Sequence, residues 1–161
     1  MLTLYHGSSE IVSEPALVNR GRAKDFGPGF YCTELYEQAR KWALRKTDSG
    51  YVNVYSCSID EDSAGLSVLE FPVMNDAWLD FVHGCRNGGT HSYDVVIGPL
   101  ADDQIFDAID DYDNGKITRK RFWELVRFRY PTHQIVFSTP RALQTLRYLK
   151  HQPVSLGDSD V

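Results

Sequence analysis

Two short strand signals, each tied to a glycine, constrain this chain more than any other feature. Leu2-Thr3-Leu4-Tyr5-His6 is a run of β-compatible side chains that ends on Gly7-Ser8. One loop later, Asp25-Phe26-Gly27-Pro28-Gly29 turns straight into Phe30-Tyr31-Cys32-Thr33. A histidine, a flexible glycine and a hydroxyl thus stand together at one strand end, and a Gly-x-Gly turn feeds an aromatic strand. The stretch between them holds turn formers and two arginines, Arg20 and Arg22, which predicts a surface path with at most one short strand or turn inside it.

Beyond Thr33 the chain alternates helix and strand signals. Thr33 is placed to cap a helix running to about Arg45, with Leu35, Ala39 and Trp42 on its apolar face. Strands are expected at Tyr51 to Ile59, Leu66 to Phe71, Tyr93 to Gly98, Gln134 to Ser138 and Leu146 to Leu149. Asn75 caps a helix through Cys85 with Trp78, Phe81 and Val82 inward, and Asp102 caps one holding Ile105, Phe106 and Ile109. Asn114-Gly115 ends that helix, and Thr118 opens another with Phe122, Leu125 and Val126 as its stripe, stopped by Pro131. Thr139-Pro140 starts a short helix. Residues 1–150 read as one domain, and the polar tail 151–161 as disordered.

The strands are short and patterned for partly exposed sheets, which argues α+β with mainly antiparallel strands. No Gly-x-Gly-x-x-Gly follows a strand, which disfavours a doubly wound dinucleotide fold. A chain of 161 residues, 42% hydrophobic and 24% charged, can bury one core. Its net charge of -5 gives a whole-protein field that does not favour nucleic acid. Cys32, Cys57 and Cys85 are odd in number and form no metal-ligand spacing, so we expect reduced, buried thiols and no metal. Without a basic leader or an apolar run of membrane length, the expected setting is the cytoplasm of a bacterial-style cell.

Taken singly, most polar residues here have an ordinary account. Asp102 caps a helix and Asp103 suits its dipole, although a catalytic or target-orienting role stays open for both. Asp25 can order the glycine loop through a bond to its backbone. Asp110 to Ile117 looks like a calcium loop, but aligning Gly115 places Tyr112 and Arg121 where acidic ligands are needed. Arg119-Lys120-Arg121, with Arg127 and Arg129, reads as a solvated helix face.

Taken together, Tyr5-His6-Gly7-Ser8 and Gly27-Pro28-Gly29-Phe30-Tyr31 resemble the NAD-binding core of the ADP-ribosyltransferase superfamily, in its diphtheria-toxin and poly(ADP-ribose) polymerase branch. With Gln38-Ala39-x-x-Trp42-Ala43, Tyr93 to Pro99, Asp102-Asp103 and the Gln134 to Phe137 ending, the chain resembles a bacterial family of unknown function within that clan. Members of that family are often encoded beside a small helical protein, in an arrangement like a toxin and its antitoxin.

The resemblance implies two packed, mainly antiparallel sheets around an NAD cleft, with flanking helices. It implies NAD as substrate, no metal, and transfer of one ADP-ribose to a macromolecular acceptor, protein or nucleic acid, by a toxin or defence effector. His6, Tyr31 and Gln134 would be its catalytic triad. His6 would hold the adenine-side ribose, Gly7 would clamp the carboxamide through its backbone, Ser8 would add a hydroxyl, and Tyr31, beside Gly29, would stack on nicotinamide. Trp42 is either the second aromatic or part of its helix's core stripe. Arg20 and Arg22 would suit the diphosphate. Gln134 stands where the family carries glutamate; an amide can hold the ribose hydroxyl but offers no charge to the developing cation. This departure keeps two alternatives in view, a catalytically weak NAD or ADP-ribose binding module and a protein-interaction domain on an inactive scaffold.

Overall fold

The computed structural model describes residues 1–17, 24–59 and 65–158. Along the chain run β1 (Leu2–Ser8), β2 (Phe30–Cys32), α1 (Tyr36–Ala43), β3 (Ser49–Cys57), β4 (Val68–Glu70), α2 (Asp76–Arg86), β5 (Val95–Pro99), α3 (Asp103–Asp113), α4 (Arg119–Val126), β6 (His133–Phe137), α5 (Pro140–Leu143) and β7 (Leu146–Ser155). The class is α+β, as the strand patterning predicts.

The strands form two sheets, β1-β3-β7 and β2-β6-β5-β4. Every pairing is antiparallel except β4 with β5. Tyr5 and Thr33 join the sheets: Tyr5 N–H donates to the Thr33 carbonyl at 2.8 Å, and Thr33 N–H returns a bond at 3.0 Å.

Strand alternation sorts side chains into three apolar layers. Leu4, Phe30, Cys32, Tyr55, Cys57, Val95, Ile135 and Phe137 fill one core that both sheets supply. Tyr31, Val96 and Val136 project from the other face of the second sheet into a core closed by Trp78, Leu79 and Val82 of α2, Ile105 and Ile109 of α3, and Phe122 and Val126 of α4. A smaller layer sets Ala39 and Ala43 of α1 on Val52 and Val154 of the first sheet. The backbone of α1 comes so close that a Cβ on Gly7 would lie 1.8 Å from the Ala39 carbonyl oxygen. Only glycine permits that crossing.

Asn75, Asp102, Thr118 and Thr139 each cap a helix by accepting a backbone N–H, as expected. Thr33 does not. Its backbone is committed to the bridge with Tyr5, its hydroxyl accepts from Leu35 N–H, and α1 starts later with Leu35 as an N-cap that makes no side-chain bond. The face of α1 changes accordingly, because Leu35 is exposed and Ala39 and Ala43 are buried. Leu125 is also exposed, off the α4 stripe, and α4 ends at Val126, well before Pro131.

The tail departs most from expectation. Residues 151–155 are not a disordered end but the second half of β7, with Val154 buried and Tyr51 registered against Pro153. A proline is tolerated there because β7 is an edge strand. The three cysteines are buried and unbridged. Among the described residues no helix is long and apolar enough to cross a membrane, and no group of side chains could hold a metal ion.

Candidate functional site

The loop before β2 is built around Tyr31. Its hydroxyl donates to the Gly27 carbonyl at 2.5 Å and accepts from Phe26 N–H at 3.2 Å. Burial pushes that phenol well above the usual tyrosine range, so the proton stays and the hydroxyl is structural. Gly29 is pressed against β6, where a Cβ would lie 2.8 Å from both the Phe137 carbonyl oxygen and a Val136 methyl. Asp25 bonds elsewhere than expected. Its carboxyl reaches the Ala101 backbone and senses Arg86, rather than ordering its own glycine loop, and burial raises its pKa.

His6 is fastened to the same unit. Its Nδ1 lies 2.6 Å from the Tyr31 carbonyl oxygen, and its ring stacks on Phe30 at 4.1 Å between centroids. Burial lowers its pKa to about 4, against the opposing effect of that hydrogen bond and with Lys24 lowering it further. The imidazole is therefore neutral at pH 7. Because Nδ1 faces a carbonyl, it must carry the proton, and Nε2 is left as an acceptor.

Gly7 sits beside it on β1. Tyr5 turns both its N–H and its C=O away from β3, toward Thr33. In an antiparallel ladder, alternate residues point their polar groups to the same side. The N–H and C=O of Gly7 therefore share that edge, past the bridge, and bond to no other strand among the described residues. Ser8 is occupied locally, its hydroxyl accepting from Glu10 N–H.

Gln134 lies on β6 opposite Gly98, and Tyr31 opposite Val136, so the two side chains are diagonal neighbours on one face of adjacent strands. Gln134 is 1% exposed, and its amide nitrogen has no hydrogen-bond partner among the described residues. The structure thus brings the three triad candidates onto neighbouring strands and bonds His6 to Tyr31. It divides their side chains, however: the His6 ring packs with Phe30 of the core shared by both sheets, whereas Tyr31 and Gln134 rise from the opposite face.

Trp42 is half-buried and belongs to none of the three cores, which removes its stripe reading. Arg20 and Arg22 lie outside the described residues. Asp102 accepts from Ile105 N–H at 2.9 Å, the ordinary account of its position. With Asp103 it lines a cleft of about 470 Å³, together with Gln38, Lys41, Arg45 and Tyr130 to Thr132. Lys24 holds its ammonium 4.7 Å over the Tyr31 ring. No motif singled out Lys24, Lys41 or Arg45; the only signal was the 38, 41 spacing, which puts Gln38 and Lys41 on one face of α1, with Arg45 just past its end.

The family model described as "Protein of unknown function (DUF3990)" matches residues 2–148. The chain belongs to that family. For this DUF3990 member, no curated protein gives a match.

Proposed function

We propose that the protein breaks the bond between nicotinamide and ribose C1′ of NAD and joins C1′ to one nucleophile on a macromolecule, releasing nicotinamide. The observation that carries this reading is the open backbone pair of Gly7 beside a neutral His6. A parallel N–H and C=O match the C=O and NH₂ of a carboxamide, and the His6 Nε2 lone pair accepts from a ribose hydroxyl. Gln134, on the other face of the second sheet, supports it as a buried amide donor without a partner among the described residues, which is costly unless a ligand that reaches that face completes it. One ADP-ribose, rather than a chain, follows from the missing carboxylate at position 134. By family resemblance such an activity serves a toxin or defence effector, held in check by a small partner protein.

The neutrality of Gln134 also favours a second reading, that the site binds NAD or ADP-ribose without cleaving it. Labelled NAD separates the two. Nicotinamide release, with label on a product destroyed by protease or by nuclease, supports transfer and names the acceptor class. Binding by calorimetry without release supports the second reading, and no binding at all removes both.

A further inference from the structure

We propose that the end of α4 and the loop after it form a docking surface for an acidic, amphipathic segment of another protein. Leu125, Phe128 and Tyr130 lie close together in the chain there, and all three are exposed. Phe128 is 74% exposed and Tyr130 88%, and among the described residues they are the only exposed Phe, Tyr or Trp side chains. Leu125 stands three residues before Phe128, and Arg127 between them keeps helical backbone angles, so the two side chains are neighbours across the last turn. The packing of α4 does not call on them. Phe122 and Val126 fix the helix in the core, and the Trp123 indole donates to Asp76 at 2.9 Å. Apolar groups gathered in water inside a polar rim mark a place of contact.

The rim of this surface is basic. Residues 116–130 hold six of the chain's 17 lysines and arginines but only Glu124 of its 22 acids. Arg119 is turned to Asp76 and Asp80 of α2, and Arg121 to Glu124. Lys120, Arg127 and Arg129 are exposed, and the last two alternate with the two rings. In a chain of net charge -5 this concentration of cations makes a local field of opposite sign, and it complements carboxylates. An arginine fork takes both oxygens of one carboxylate. Arginine and tyrosine are also enriched among the side chains that carry most of the binding energy between proteins.

The apolar groups decide between a protein and a nucleic acid. Single strands stack their bases on open ring faces. Here the Arg127 guanidinium already lies over the Phe128 ring, 4.9 Å from its centre, and the neighbouring Leu125 offers a base no flat surface. An apolar side chain packs against both. Carboxylates also interrupt the strip. Glu124 lies inside it, and Asp102 and Asp103 line the same cleft as Tyr130. A sugar-phosphate backbone would run its charges past them, whereas a protein segment carries carboxylates only at chosen positions. The fitting occupant has leucine or aromatic anchors for Leu125, Phe128 and Tyr130, with aspartate or glutamate beside them for Lys120, Arg127 and Arg129. The surface stands whether or not the chain cleaves NAD.

The probe is a labelled peptide in which leucine and phenylalanine anchors alternate with glutamate and aspartate. Its binding to the full chain is measured by fluorescence anisotropy and mapped by amide chemical shifts. The peptide is expected to bind, more weakly as salt rises, and to shift the amides of residues 125–130. Phe128→Ser with Tyr130→Ser, and Arg127→Gln with Arg129→Gln, are each expected to lower its affinity about tenfold or more. Thermal midpoints should hold, since all four side chains are exposed. A peptide with its anchors changed to serine is expected not to bind; equal binding by that peptide reduces the surface to a charged face and overturns the proposal. No binding of the parent peptide, or equal affinity in wild type and both double variants, overturns it as well. A single-stranded oligonucleotide that binds tighter and displaces the peptide overturns the assignment to a protein. Wild-type dimers in sedimentation, broken by the same substitutions, would make the occupant a second copy of this chain and overturn the foreign segment.

Discussion

Asp94 and Gln134 are both buried polar side chains of the second sheet, and the structure treats them in opposite ways. Asp94, just before β5, is saturated. It accepts from Ser67 N–H at 2.9 Å and Ser67 hydroxyl at 3.3 Å, from Thr139 hydroxyl at 2.6 Å and from Arg141 at 3.2 Å. Gln134, on the adjacent strand, has an amide donor bonded to nothing among the described residues. A buried group with all its partners is part of the scaffold; one left short of partners in a well-packed sheet is the group that the proposed function gives to a ligand. The same division separates the Tyr31 hydroxyl, doubly bonded, from the Gly7 backbone edge, which bonds to no other strand among the described residues.

The largest expected effect tests the open side. Gln134→Ala removes the amide next to Tyr31 and is expected to lower nicotinamide release about a hundredfold, the scale for losing one polar group at a reacting centre. Gln134→Glu is expected to keep or raise release, since it restores a charge opposite the developing cation. Full activity in Gln134→Ala would move the chemistry to another residue, with Asp102 and Asp103 the first to examine.

His6 belongs to both sides, bonded through Nδ1 and open at Nε2. Its pKa falls from 6.5 to about 4 on folding. Between those values the unfolded chain binds the proton and the folded chain does not, so stability rises with pH across that window. The contribution is complete above pH 6.5 and lost as pH falls toward 4, to the extent of about 3 kcal/mol. Urea unfolding of wild type and His6→Gln at pH 7 and pH 4 measures it. Parallel losses in the two proteins would show that His6 is not held neutral.

Breaking the saturated side should cost stability and leave nucleotide binding alone. Asp94→Asn loses the charge that Thr139, Ser67 and Arg141 surround and is expected to destabilise by about 2 kcal/mol. The hydrogen bond from Thr139, then that from Ser67, lowers the Asp94 pKa, so its contribution is present at neutral pH and fades as the carboxylate protonates in acid. An unchanged urea midpoint would mean that the cluster is replaceable by water.

The sequence made legible what is settled within a few residues. Asn75, Asp102, Thr118 and Thr139 cap their helices through bonds three residues long, and each was readable as a local pattern. Thr33 has the same chemistry and was misread, because its partner Tyr5 lies on another strand, far back in the chain. The second half of β7 was missed because an edge strand with exposed faces shows the composition of a tail. The strand order of His6, Tyr31 and Gln134 could be expected from their motifs. The bond from His6 to a backbone carbonyl could not, and neither could the placement of the Lys24 ammonium over the Tyr31 ring, which no spacing encodes. Trp42 suited a periodic core-stripe reading as well as the second aromatic of the resemblance, and packing sets aside the stripe alone.

The smallest expected effect is the sharpest test of the contrast, because its sign is unusual. If the Gln134 amide is a donor kept unsatisfied for a ligand, then removing its polarity while keeping its length should help the empty protein fold. Gln134→Met keeps an unbranched chain of similar volume among Tyr31, Val136 and the loop above them, and it abolishes the orphan donor. Replacing an unpaired buried polar group by an apolar one of the same shape is stabilising, here by about 1 kcal/mol. Thermal unfolding without nucleotide should therefore rise by a few degrees, roughly 2–4 °C for a domain of this size, and the variant should lose both NAD cleavage and the extra stability that added NAD gives wild type. A drop in midpoint for Gln134→Met would mean that the amide is satisfied in the folded protein after all, and Gln134 would then join Asp94 among the groups that hold the sheet rather than those that wait for a ligand.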